Sequence, residues 1–78
     1  MMMKLYIKGG CPWCVDAERW LQKNGYEYDV VDVNRDREEF AEMRRISGQT
    51  LAPVLELEDG RVLADFGAED LPGFLGKK

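Results

Sequence analysis

Seventy-eight residues, mixing aliphatic, aromatic and charged side chains of both signs, describe one small soluble globule. That length lies near the lower limit at which a single core folds without metals or several disulfides. The net charge of −4, with no basic cluster larger than Arg44-Arg45, excludes a nucleic-acid footprint, and the absence of histidine removes both the usual general base and the commonest metal ligand.

The opening "MMMKLYIK" has one lysine and too short an apolar run for a signal peptide or a membrane span, so the protein is expected in the cytoplasm. Residues 3–8 alternate apolar and β-prone side chains up to Gly9-Gly10 and predict a first strand. A helix follows from Pro12 to about Asn24: Ala17, Trp20, Leu21 and Asn24 share a face, Pro12 suits a first turn, and Gly25 supplies the stop. Residues 26–33, "YEYDVVDV", form a second strand. Asn34 then caps a helix with Asp36 in its first turn and Arg44 and Arg45 in its last, matching the helix dipole at both ends. Phe40, Met43 and Ile46 face the core, and Gly48 follows the helix end. Residues 53–58 and 61–66, joined at Asp59-Gly60, read as a hairpin. A short last helix presents Leu71, Phe74 and Leu75 on one side, weakened by Pro72 and Gly73. The order is β-α-β-α-β-β-α, with no linker, repeat or low-complexity tract, so residues 1–78 are expected to be one domain.

The only two cysteines stand in "KGGCPWC", at the junction of the first strand and first helix. Two Cα atoms three residues apart across a helix start lie roughly 5 Å from each other, within disulfide range. So short a loop gains little as a staple, and in a reducing compartment a disulfide is more often catalytic than structural. Cys11 sits just before the helix, where free N–H groups and the dipole favour a thiolate, as would the ammonium of Lys8 if it folds over. Pro12 loses no useful donor there. Cys14 falls on the stripe with Ala17 and Leu21 and points inward. An exposed sulfur that attacks, with a second within reach that resolves, is what thiol–disulfide exchange requires. The blander alternatives are two unrelated buried cysteines, or a zinc site, which wants four ligands and therefore a second chain.

Three segments carry a resemblance. "IKGGCPWC" with its helix resembles the active-site segment of dithiol glutaredoxins, within the thioredoxin-like superfamily. "EMRRISGQTLAPVLEL" resembles their helix–loop–strand around a conserved-type proline, and "FGAEDL" the start of their last helix. The resemblance implies an α/β thioredoxin-like fold: a four-stranded mixed sheet flanked by helices. It implies that Pro53 is cis and faces the substrate, that Cys11 is the nucleophile and Cys14 the resolving thiol, and that Ala52 offers its backbone to an extended thiol peptide. It places glutathione against Lys8, Gln49, Ala68, Glu69 and Asp70. The sequence departs from the family where Leu51-Ala52-Pro53 replaces Thr-Val-Pro, where neutral Gln49 replaces a cation, where the hairpin is longer, and where Gly67 stands alone for a Gly-Gly pair.

The function so implied is a glutathione-linked reductase of protein disulfides or glutathione-mixed disulfides. It has no tightly bound cofactor, takes glutathione as cosubstrate, and works as a monomer on disulfide-containing proteins without nucleic acid or membrane. "APV" also resembles glutaredoxin-like donors to ribonucleotide reductase that thioredoxin reductase recharges. A third alternative is a [2Fe–2S] carrier in which Cys11 of two protomers and two glutathiones hold the cluster, against which Pro12 argues. A fourth is a stable disulfide domain docking through its acidic surface. Trp13 either shapes a substrate groove or merely fills the motif. Trp20, Phe40, Met43 and Phe74 read as core, Tyr6 as strand packing and "DREEFAE" as a solvated helix face. Asp16 and Glu18 either support the dipole or tune the thiol.

Overall fold

The computed structural model describes residues 3–76; residues 1–2 and 77–78, the ends of the expected 1–78 span, lie outside them. Strand β1 (Met3–Ile7) leads through Gly9-Gly10 into helix α1 (Pro12–Lys23), followed by β2 (Tyr28–Asp32), α2 (Arg37–Ser47), β3 (Val54–Glu56), β4 (Val62–Ala64), one 3-10 turn (Ala68–Asp70) and α3 (Leu71–Leu75). The strands form one sheet in the order β2-β1-β3-β4. β1 runs parallel to β2, while the β1–β3 and β3–β4 pairs are antiparallel.

The alternation of side chains along a strand sorts the core into two layers. Leu5 and Leu55 pack with Ala17 and Leu21 of α1 and Leu71 of α3 on one face. Their neighbours Tyr6 and Val54 pack with Val33 and Met43 of α2 on the other. Tyr6 is fully buried in that packing. Met43 is fully buried as well, whereas Phe40, Trp20 and Phe74 are half-buried side chains laid against the two clusters. Trp20 stacks on Tyr26 with ring centroids 5.8 Å apart.

Four boundaries differ from those predicted, each for a local reason. Asn34 does not cap α2. Its own N–H donates to Asp32 Oδ1 at 2.9 Å, and the Arg35 N–H donates to the Asp32 carbonyl at 3.0 Å, so these residues close a turn. Asp36 is the cap: one carboxylate oxygen accepts from the N–H groups of Glu38 and Glu39. β2 starts at Tyr28, because the Tyr26 N–H is spent on the Leu21 carbonyl, 3.0 Å, in closing α1. The hairpin strands are three residues each. β4 ends where Asp65 takes φ 50°, a left-handed conformation that breaks a strand, and the Asp65 N–H donates to the Pro53 carbonyl at 3.0 Å. The last helix begins as a single 3-10 turn, with the Asp70 carboxylate accepting from the Gly67 N–H at 3.1 Å. The acidic run is only partly solvated, since both oxygens of Glu39 accept from Lys4 Nζ at 2.9 Å.

Candidate active site

Cys11 is the N-cap of α1. Its backbone is extended, and its sulfur takes the place a cap's oxygen usually holds: the Cys14 N–H donates to Cys11 Sγ at 3.3 Å. The Cys11 N–H in turn donates to the Lys8 carbonyl at 3.2 Å, which ties the loop to the end of β1. Pro12 occupies the first helical position. Both cysteines are free thiols, Cys11 half-buried and Cys14 buried. The Cys14 thiol is pushed up to about 12, first by burial and then by its hydrogen bond to Cys11, with the Lys8 backbone opposing the shift and the nearness of Cys11 and Glu18 adding to it. The two sulfurs are therefore chemically unlike: one is reachable and hydrogen-bonded by a helix N–H, the other is held as a neutral thiol under the helix.

The Lys8 ammonium does not lie on the sulfur. It donates to the Thr50 carbonyl at 2.7 Å and sits 5.6 Å from the centre of the Phe40 ring. Lys8 is thus a strut between the cysteine loop and the loop leading to Pro53. The Ala52-Pro53 bond is cis and Pro53 is fully buried, so the surface of that loop is made by half-buried Ala52 and by Leu51, 53% exposed. Gln49 is turned onto its own loop. Its Oε1 accepts from the Leu51 N–H at 2.6 Å, and its Nε2 donates to the Leu51 carbonyl at 2.9 Å and to Ser47 Oγ at 3.2 Å. Ala52 differs from its neighbours: among the described residues neither its N–H nor its carbonyl has a partner.

Trp13, between the two cysteines in the chain, is 63% exposed and lines a groove of 230 Å³ with Asp65, Phe66, Gly67 and Glu69. The Glu69 carboxylate lies against Gly67, where a Cβ would collide with it. Asp70 is occupied in closing the turn and does not line the groove. The structure accordingly gathers Gln49, Ala52 and Pro53 on one loop, with the Lys8 ammonium bonded to it from the cysteine loop, and Trp13 with Glu69 in one groove. The Asp65–Pro53 hydrogen bond joins the two. Sequence reasoning missed Thr50, Leu51 and Asp65. An apolar Leu51 in a polar loop stands out in the sequence, whereas the left-handed Asp65 leaves no sign there.

Among the described residues no group of three or more His, Cys, Asp or Glu side chains is placed to hold a metal ion, and no helix is long and apolar enough to cross a membrane.

The glutaredoxin family model matches residues 3–62. The chain belongs to the glutaredoxin family. A glutaredoxin-like 8.6 kDa protein encoded in the rubredoxin operon of Clostridium pasteurianum is 30% identical over 97% of this chain and 100% of its own length. A glutaredoxin of Pseudomonas aeruginosa is 28% identical over 86% of this chain and 76% of its own. Among solved structures, the glutaredoxin-like NrdH-redoxin of Escherichia coli, described as having a thioredoxin-like activity profile, superposes with a TM-score of 0.77 at 25% identity, covering 96% of this chain and 95% of its own. The mixed four-stranded sheet flanked by helices is the thioredoxin-like fold. The glutaredoxin set on it here carries a close cysteine pair, and the chain is a thiol–disulfide oxidoreductase of the glutaredoxin/thioredoxin superfamily.

Proposed function

We propose that this glutaredoxin is a dithiol reductase of protein disulfides and glutathione-mixed disulfides, recharged by glutathione, and that residues 1–78 act as one monomeric domain in the cytoplasm. The observation that carries the reading is the unlikeness of the two sulfurs. Cys11 Sγ attacks one sulfur of the substrate disulfide. That S–S bond breaks, one substrate thiolate leaves and takes a proton, and a mixed disulfide forms on Cys11. Cys14, neutral until then, gives its proton to a leaving thiolate and attacks Cys11 Sγ, releasing the second substrate thiol. Two electrons have passed to the substrate and the protein holds a Cys11–Cys14 disulfide. Two glutathiones return it to the dithiol and leave as glutathione disulfide.

The docking edge is Ala52, whose unpaired N–H and carbonyl suit an added strand. Pro53 underlies it. Lys8, with Gln49 beside it, stands at the carboxylate end of a bound glutathione. Trp13 walls the other end, where Glu69 suits an ammonium and Asp70 shapes the turn. A second reading is favoured by the likeness to NrdH-redoxin and by a cage holding a single cation: recharging by thioredoxin reductase, with the protein an electron donor to an enzyme such as ribonucleotide reductase. A coupled assay on one disulfide substrate, fed either by glutathione with glutathione reductase or by thioredoxin reductase, decides between them. Turnover with the first source supports the proposal, turnover with the second alone promotes the alternative, and turnover with neither rejects both.

A further inference from the structure

Residues 50–52 lie outside the sheet, so each brings a backbone N–H and carbonyl that need partners. Their satisfaction is uneven. The Thr50 carbonyl takes the Lys8 ammonium, and both polar groups of Leu51 are taken by the Gln49 carboxamide, with Ser47 Oγ on the second Nε2 proton. A carboxamide that accepts the N–H and donates to the carbonyl of one residue reproduces the pair of bonds an antiparallel strand would make. Both Gln49 donors are thereby used within the protein. Leu51 stays 53% exposed, so the bracket holds a surface residue that packing does not hold.

One of these bonds bears directly on Ala52. The Leu51 carbonyl and the Ala52 N–H belong to one planar peptide unit. That unit is trans, since the Ala52-Pro53 bond is the cis bond here, so its carbonyl and N–H point in opposite directions. Gripping the carbonyl at 2.9 Å aims the Ala52 N–H away from Gln49. A carbonyl that accepts a hydrogen bond also polarises the N–H across its own amide, strengthening the donor. We infer that Gln49 is a positioning residue: it aims the Ala52 N–H at an incoming peptide by holding the far end of the same peptide unit, and it acts through Ala52 without touching the substrate carboxylates. The inference rests on the reading of Ala52 as the docking edge.

The test uses three disulfides, each offered to intact protein that is already reduced and freed of glutathione, since free glutathione would exchange onto any of them: a glutathione-mixed disulfide, which is charged, and two without charge. One is an N-acetylated, C-amidated cysteine tripeptide, which has a backbone and no charge. The other is hydroxyethyl disulfide, which has no backbone. In Gln49→Ala and Gln49→Glu, the first losing both bonds and the second losing the donor to the Leu51 carbonyl, kcat/KM on the tripeptide should fall threefold to tenfold further than on hydroxyethyl disulfide, mostly through KM. Equal losses on both substrates would make Gln49 a general support of the fold and overturn the inference. A loss confined to charged glutathione-mixed disulfides would make it a direct ligand, which also overturns it. Amide hydrogen exchange gives a readout independent of turnover: the Leu51 N–H should exchange threefold to tenfold faster in Gln49→Ala than in the parent protein, with the β1 amides as internal reference. Unchanged exchange at Leu51 would mean that the bracket is absent in solution. If the parent protein reduced none of the three disulfides, the docking reading would fail while the exchange result still reported on the bracket.

Discussion

The Cys14 N–H donates to Cys11 Sγ at 3.3 Å while the Cys14 thiol itself is buried and pushed up to about 12. One residue thus gives its backbone N–H to its partner's sulfur and withholds its own sulfur from attack. The helix start sets both effects, because the N-cap and the third helical residue are the positions that such a bond joins.

Alkylation should therefore be ordered. With the reduced protein at pH 7, iodoacetamide followed by peptide mapping should find Cys11 modified and Cys14 untouched. Cys14 should begin to react only as pH climbs well above 9, toward 12. Equal labelling of the two thiols at neutral pH would remove the asymmetry on which the mechanism stands.

The two cysteines should also separate by substrate. Cys11→Ser should abolish disulfide reduction. Cys14→Ser should keep turnover on glutathione-mixed disulfides, where a second glutathione replaces the resolving thiol, and should lose turnover on two-cysteine protein disulfides, stalling as a mixed disulfide visible by mass. A Cys14→Ser protein that still reduced intramolecular disulfides at the parent rate would show that Cys14 does not resolve.

Much of this was legible in the residues, and the rest failed at identifiable points. Period-2 alternation placed β1, the Cys14-Ala17-Leu21 stripe turned Cys14 inward, and glycine stops ended both long helices. The cap of α2 was misplaced by two residues because Asn34 and Asp36 are both good caps, and only the turn closed by Asp32 decides between them. Lys8, free in the sequence to fold over the sulfur or not, reaches Thr50 instead, a contact between residues 42 apart that no local pattern encodes. The bond of a side chain to the backbone two residues on, as from Gln49 to Leu51, competes with regular structure and has no periodicity to reveal it.

The cap difference can be measured. Asp36→Ala should cost about 1 kcal/mol of stability, the usual value for losing a cap that serves two N–H groups, whereas Asn34→Ala, which keeps its backbone bond to Asp32, should change stability by less than about 0.5 kcal/mol. Urea unfolding of both variants reads this directly, and the reverse ranking would restore Asn34 as the cap.

Lys8→Gln should lower kcat/KM for a glutathione-mixed disulfide about threefold to tenfold, through loss of a charge-assisted contact at an exposed site. It also shortens the strut to Thr50, so hydroxyethyl disulfide, given to pre-reduced protein without glutathione, serves as the control that separates ligand charge from loop support. Equal values for both substrates would take Lys8 out of the glutathione site.

Alkaline pH should unfold this protein more readily than its acidic composition suggests, and the sign follows from the groups involved. Cys14 is raised by burial from 9.0 to about 12, and Tyr6 and Tyr28 are raised from 10.0 by burial first. Lys4 is raised from 10.5 by its hydrogen bond to Glu39. In each case the folded chain keeps a proton that the unfolded chain gives up. The unfolded state therefore binds fewer protons above pH 9, and stability falls as pH rises. The contribution is complete below pH 9 and is lost progressively from there toward 12, the thiol leading and the phenols and Lys4 following above 10. Urea midpoints taken at pH 8, 9.5 and 10.5 should decline. In Cys14→Ala the decline between pH 8 and 9.5 should flatten, while the later fall, owed to Tyr6, Tyr28 and Lys4, remains. A midpoint that held steady or rose over this range in the parent protein would contradict a buried neutral Cys14, and with it the resolving thiol that stays silent until Cys11 has reacted.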